Sequence, residues 1–170
     1  MITENHYPTI DGQVVTIRPI RITDSEIEAD FVRKLSPESK HFRFLGGIKG
    51  LSPQRVKELC EVDGHHSMAF IATIEDNGQV TEIGVGRYTA NSKEDTREMA
   101  VTVADEWQNK GLGKQLVDQL IGFAKGHGIK QLYSVDLADN TAMRELAKDL
   151  GMTAKRDPED AHMVIYTLSL

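Results

Sequence analysis

The chain has 170 residues, 39% hydrophobic and 27% charged, with a formal net charge of -6. That suits one domain spanning residues 1–170, with its core from about residue 13, and an ordinary globular composition. The acidic balance speaks against general nucleic-acid binding, which needs a basic footprint, and is compatible with a cationic partner such as a lysine or a polyamine. No apolar run approaches the ~20 residues of a membrane span, so no membrane partner is expected. The N-terminus M-I-T-E-N-H-Y-P lacks a signal-peptide pattern, and the expected location is the cytoplasm. The lone cysteine, Cys60, excludes an internal disulfide and a thiolate metal site, and it reads as a small buried hydrophobe.

A first strand is predicted from Gln13 to Ile20, after the turn Asp11-Gly12, with Val15 and Ile17 alternating with polar neighbours. Thr23 opens T-D-S-E, a capping-box pattern with Glu26, followed by a helix whose apolar face is Ile27, Phe31, Val32 and Leu35. Ser36 to Gly50 mixes aromatic and basic residues with three glycines and reads as a functional loop. Ser52-Pro53 then starts a short helix running to about Glu61.

Met68–Ile74 and Glu82–Ala90 are β-rich runs either side of Asp76-Asn77-Gly78, an antiparallel hairpin signal. A fourth strand runs from Arg97 to Val103, with Glu98, Ala100 and Thr102 sharing one face. After the glycine loop a helix extends to about Gly126, with Leu112, Leu116, Val117, Leu120, Ile121 and Ala124 at helical spacing. Gln131–Leu137 is a fifth strand, parallel to the fourth because a helix lies between them. Asn140 caps a last helix closed by Gly151, and Met163–Leu168 is the final strand.

The stretch Val101 to Lys114, V-T-V-A-D-E-W-Q-N-K-G-L-G-K, joins the fourth strand to that helix. A helix N-terminus offers unclaimed amides and a partial positive charge, and Gly111 and Gly113 let the backbone approach a ligand closely. An anion, above all a phosphate, suits such a place. A P-loop would need glycine at Gln108 and Ser or Thr at Gln115; a dinucleotide fingerprint would need glycine at Leu116. Both are excluded.

The remaining pattern, Gln108-x-x-Gly111-x-Gly113, resembles the Q/R-x-x-G-x-G/A pyrophosphate loop of the GNAT acetyltransferases, and the order of elements is theirs. Four segments are similar to the catalytic domain of Pat-type bacterial protein lysine acetyltransferases: V-T-I-R-P-I-R-x-x-D from Val15, L-S-P-E-S-K-H-F-R-F from Leu35, E-M-A-V-T-V-x-D-E-W-Q-N-K-G-L-G from Glu98, and N-x-x-M-x-x-L-A-x-x-L-G-M from Asn140. The resemblance implies an α/β (α+β) GNAT fold: a mixed, mostly antiparallel sheet whose parallel fourth and fifth strands splay apart, flanked by helices. Acetyl-CoA is the implied cosubstrate, no metal is required, and a monomer or homodimer is expected.

By the same resemblance Glu98 is the general base, since an amine must lose a proton before attack and a carboxylate gains basicity when taken out of water. Val101, Thr102 and Val103 would supply a backbone donor to the thioester carbonyl, at a bulge, and would pair with pantetheine. Gln108, Asn109, Lys110, Gly111, Leu112, Gly113 and Lys114 would hold the pyrophosphate, with Asp105 bracing their loop. Asn140 matches an asparagine that touches the cofactor arm, although its capping role accounts for it equally well. Phe42, Arg43 and Phe44 are candidates for acceptor contact or for plain packing. Ala147 stands where many GNATs have a tyrosine that protonates the leaving thiolate, so the general acid is open; Tyr133 reads as structural. His65 and His66 lack a third ligand for a metal site. The expected acceptor is a protein lysine; the alternatives are a small amine such as a polyamine, amino acid or aminoglycoside, or a CoA-binding sensor without turnover.

Overall fold

The computed structural model describes residues 5–45 and 50–170. In chain order the elements are β1 (Thr9–Ile10), β2 (Gln13–Val14), β3 (Thr16–Pro19), α1 (Ser25–Lys34), α2 (Pro37–Phe44), α3 (Pro53–Cys60), β4 (Ser67–Asp76), β5 (Gln79–Ala90), β6 (Thr96–Val103), α4 (Leu112–Gly126), β7 (Gln131–Leu137), α5 (Thr141–Asp149), β8 (Thr153–Arg156) and β9 (Met163–Ser169). Seven strands form one sheet in the order β3-β4-β5-β6-β7-β9-β8, antiparallel throughout except for the parallel pair β6 and β7.

The two faces of the sheet bury separate cores. On one, Leu112, Leu116, Val117, Leu120 and Ala124 of α4 pack with Phe70, Ile83, Met99 and Leu132, and α5 adds Met143 and Ala147. On the other, Phe31, Val32 and Leu35 meet Val56, Cys60, Ala69, Ile71 and Val85. Cys60 is buried, and that burial lifts its thiol to about 11, as suits a packing residue rather than a nucleophile. The middle of the sheet comes close to α4 because β5 has glycine where a side chain would collide. A Cβ at Gly86 would lie 3.2 Å from Leu116 Cβ and one at Gly84 3.0 Å from Leu116 Cδ1.

Several elements differ from the expectation. The first strand is broken at the fully buried Val15: β2 turns back on β1, while β3 joins the main sheet. Thr23 does not cap a helix. A 3-10 turn spans Ile22–Asp24 and α1 begins at Ser25, because the Asp24 carboxylate is taken by Arg18 (2.7 Å to each oxygen) and by the Arg21 amide (2.6 Å). Ser36 to Gly50 is not all loop: Ser36 Oγ accepts from Ser39 N at 3.1 Å, Pro37 takes the first turn and α2 follows, while residues 46–49 lie outside the described residues. β8 was unforeseen; all four of its residues are exposed, so no apolar alternation marks it. Asn77 (φ 50°) and Gly78 (φ 79°) form the expected hairpin turn, and Ser52 caps α3 at 3.2 Å.

Candidate active site

The parallel pair is short. β6 and β7 meet at Thr96 with Gln131, Arg97 with Leu132, and Glu98 with Tyr133, and then diverge. Their divergence opens a cleft of about 800 Å³, walled by β6 from Glu98 to Val103, β7 from Ser134 to Asp136, the start of α4, the N-terminal part of α5 and the last residues of α2. Along its other edge β6 pairs with β5 without a slip, from Gly84 with Val103 to Ala90 with Arg97. The expected bulge at Val101–Val103 is therefore absent, and these residues present a regular, unpaired strand edge to the cleft. Thr102 is 8% exposed, and its Oγ1 has no hydrogen-bond partner among the described residues.

The glycine loop is built from left-handed turns. Asn109 has φ 60° and Gly111 φ 84°, so the chain doubles back before α4. The first amide claimed within α4 is that of Gln115, donated to Gly111 O at 3.2 Å; those of Leu112, Gly113 and Lys114 precede it, at the positive end of the helix. Gly111 is needed for its dihedral angles. Gly113 is not needed by the protein, since an added Cβ would make ordinary 3.7 Å contacts with Leu146 and Val103, so its bare backbone leaves room for something else.

Of the expected phosphate-loop residues, Gln108, Asn109, Gly111, Leu112, Gly113 and Lys114 line the cleft and Lys110 does not. Lys110 is turned away, paired with Asp11 and placed 5.4 Å from the Trp107 ring centre. Lys114 lines the cleft and is held by Asp118 at 2.8 Å. Gln108 acts as a brace, its Nε2 donating to Val103 O (3.0 Å) and to Ser39 Oγ (3.2 Å). Asp105 accepts from Ser36 N, Ser36 Oγ and Ser39 Oγ at 2.7–2.9 Å. Burial acts to raise its pKa, but these bonds prevail and hold it below the usual value. Asp105 thus fastens the loop to the start of α2.

Glu98 is exposed at the point where the strands part, and the Tyr133 hydroxyl stands 3.5 Å from its Oε2 and 3.3 Å from Asn91 Nδ2. Tyr133, expected to be structural, thus stands against the candidate base. Phe42, Arg43 and Phe44 line the cleft from α2. Burial, and then the like charge of Arg87, lower the Arg43 guanidinium to about 10. Asn140 lines the cleft and also caps α5, its Oδ1 accepting from Met143 N at 3.1 Å.

One group in the cleft was missed. Asp136 faces it from β7 and accepts from Ser134 Oγ at 2.5 Å; burial raises its pKa, against that bond. The available signal was an acid at the same strand parity as the buried Leu132 and Ser134.

A mixed sheet whose one parallel pair splays beside an open helix N-terminus defines a known class. The chain belongs to the acetyltransferase (GNAT) family, whose sequence model matches residues 35–152, and is thus an N-acetyltransferase by family. It is 46% identical over 160 residues to an acetyltransferase of Pseudomonas aeruginosa, covering 94% of this chain and 86% of that one. It is 28% identical over 147 residues to the acetyltransferase Pat of Mycolicibacterium smegmatis, covering 86% of this chain but only 43% of that protein. Among solved structures, the GNAT domain of S. lividans PAT superposes with a TM-score of 0.87 at 27% identity, over 98% of this chain and 97% of that one. The mostly antiparallel, splayed GNAT sheet read from the motifs is thus the fold observed.

Proposed function

We propose that this chain transfers acetyl from acetyl-CoA to a protein lysine by direct attack in a ternary complex, as a single domain. The observation that carries this reading is Glu98 on the last rung of the parallel pair, where the strands open onto a cleft that ends at the bare amides of α4. Leu112, Gly113 and Lys114 would hold the pyrophosphate by their backbone N–H groups, with Asn109 and Gly111 shaping the turn. The edge of Val101–Val103, which no strand pairs although Val103 O accepts from Gln108, would pair with the pantetheine amides and donate to the thioester oxygen.

A lysine ammonium has a reference pKa of about 10.4, so a base must remove a proton before attack, and Glu98 is the proposed base. The lysine reading rests on the motif resemblance to Pat-type enzymes and on the acidic net charge of -6. Phe42, Arg43 and Phe44 are the proposed acceptor contacts, and Asn140 a contact to the cosubstrate arm.

Glu98→Gln should bind acetyl-CoA with unchanged affinity and lose roughly 100-fold or more in kcat, read by thiol release. Unchanged turnover near neutral pH would remove Glu98 from the role. Thiol release with lysine peptides against small amines, including a polyamine and an aminoglycoside, tests the acceptor: faster turnover of a small amine would displace the lysine reading.

A further inference from the structure

We propose that Asp136 is the catalytic residue that returns a proton to the leaving sulfur. The proposal rests on the acetyl-CoA reading above. Asp136 lies three residues beyond Tyr133 on β7, about 10 Å past the last rung of the parallel pair, and lines the same cleft as Glu98. The two carboxylates therefore stand at different depths of one cleft. A thioester lying along the free edge of β6 between them has its amine side toward Glu98 and its sulfur side toward Asp136. Ala147, buried on α5, has no proton to give.

The surroundings of Asp136 raise its proton affinity above that of an ordinary carboxylate. Burial and the negative charge of Glu98 on β6 raise its affinity for a proton, opposed by the Ser134 hydroxyl on its own strand and by the Arg43 guanidinium from α2. Tyr166 on β9 also feels the Asp136 charge, and Arg144 on α5 counters it there. A thiolate, with a reference pKa near 8.5, is basic enough to take a proton from such a carboxyl as it leaves.

In the step, the amine lone pair forms the N–C bond and the C–S bonding pair moves onto sulfur. The Asp136 carboxyl proton goes to that sulfur, and Glu98, having passed the ammonium proton to water before attack, takes the proton that the acylated nitrogen sheds. The products are amide, CoA thiol, protonated Glu98 and ionised Asp136, and proton exchange through water resets the pair.

Hydroxylamine, already neutral near pH 7, removes the need to deprotonate an ammonium before attack. With acetyl-CoA and hydroxylamine, Asp136→Asn should still lose roughly 100-fold in kcat at unchanged affinity for acetyl-CoA, because the loss lies at sulfur. A second measurement needs neither turnover nor a variant. In the unaltered protein the Asp136 carboxyl 13C resonance should shift when CoA is added and stay in place with desulfo-CoA. An Asp136→Asn rate within about twofold of the unaltered protein overturns the assignment, as does an equal response to CoA and desulfo-CoA. If the unaltered protein releases no thiol with any amine, the proposed function fails, and the resonance alone decides Asp136.

Discussion

Gln108 donates from one amide nitrogen to a strand carbonyl and to a serine on another element, so its side chain fixes the position of the loop instead of reaching out to a ligand. Removing it should leave Val103 O without that donor. Gln108→Ala is expected to cost about 1–2 kcal/mol, read by urea denaturation, and to weaken acetyl-CoA binding in calorimetry as the loop loosens. The motif named Gln108 from six consecutive letters, but its partner Ser39 lies 69 residues away, a distance over which sequence carries no period. Asp136 was hidden for a related reason. An acid in a strand looks like a solvated position until the neighbouring strand is seen to part from it.

At the scale of elements, legibility followed apolar periodicity. β7 was read with its observed bounds, and α4 and β6 to within a residue or two; α4 and β7 repeat buried residues at their own periods, and β6 is the β-rich run that leads into the glycine loop. α2 and β8 bury none, so neither left a pattern, although Ser36-Pro37 repeats the start signal that found α3 at Ser52-Pro53. The contact between β5 and α4 was equally invisible, since a glycine pair in a strand says nothing about what approaches it. Gly86→Ala should force Leu116 and Leu120 outward, at a cost of about 1–3 kcal/mol in urea denaturation. Because the same helix carries the open amides in the turn just before Leu116, acetyl-CoA affinity should fall with it. Unchanged affinity at lowered stability would show that α4 moves as two parts.

For the whole molecule, the order of strands and helices came through from motif and turn chemistry, whereas the polar interior did not. Glu28 and Glu82 are 2% and 3% exposed and lie together beneath the sheet, with Arg87 Nη2 3.1 Å from Glu28. Burial, and then Glu28, raise the Glu82 carboxyl well above its ordinary 4.5, so the folded protein keeps a proton there that the unfolded chain releases. The stability this contributes is fully present below that ordinary value and is lost as pH rises toward the folded value. Glu82→Gln replaces the proton with an amide donor and removes the slope. From about pH 5 upward its stability should gain on the unaltered protein by about 1.4 kcal/mol per pH unit, until the folded carboxyl titrates. Denaturant melts of both proteins from acid to neutral pH check this, and parallel curves would contradict it.

Among the described residues, the sheet ladder between the four strands on one side and the three on the other consists of the three rungs between β6 and β7. An extended ligand arm with amide groups, laid in the gap, becomes an eighth strand. On the proposed binding mode acetyl-CoA would complete the architecture as well as react in it, and should raise the melting temperature with concentration, adding about 2.7 kcal/mol of stability at a hundred times Kd. Amide exchange should slow together on the facing edges of both strands. Substitutions in the C-terminal strands, remote from any reacting atom, should then weaken binding of the cosubstrate, because it has become part of the sheet they belong to.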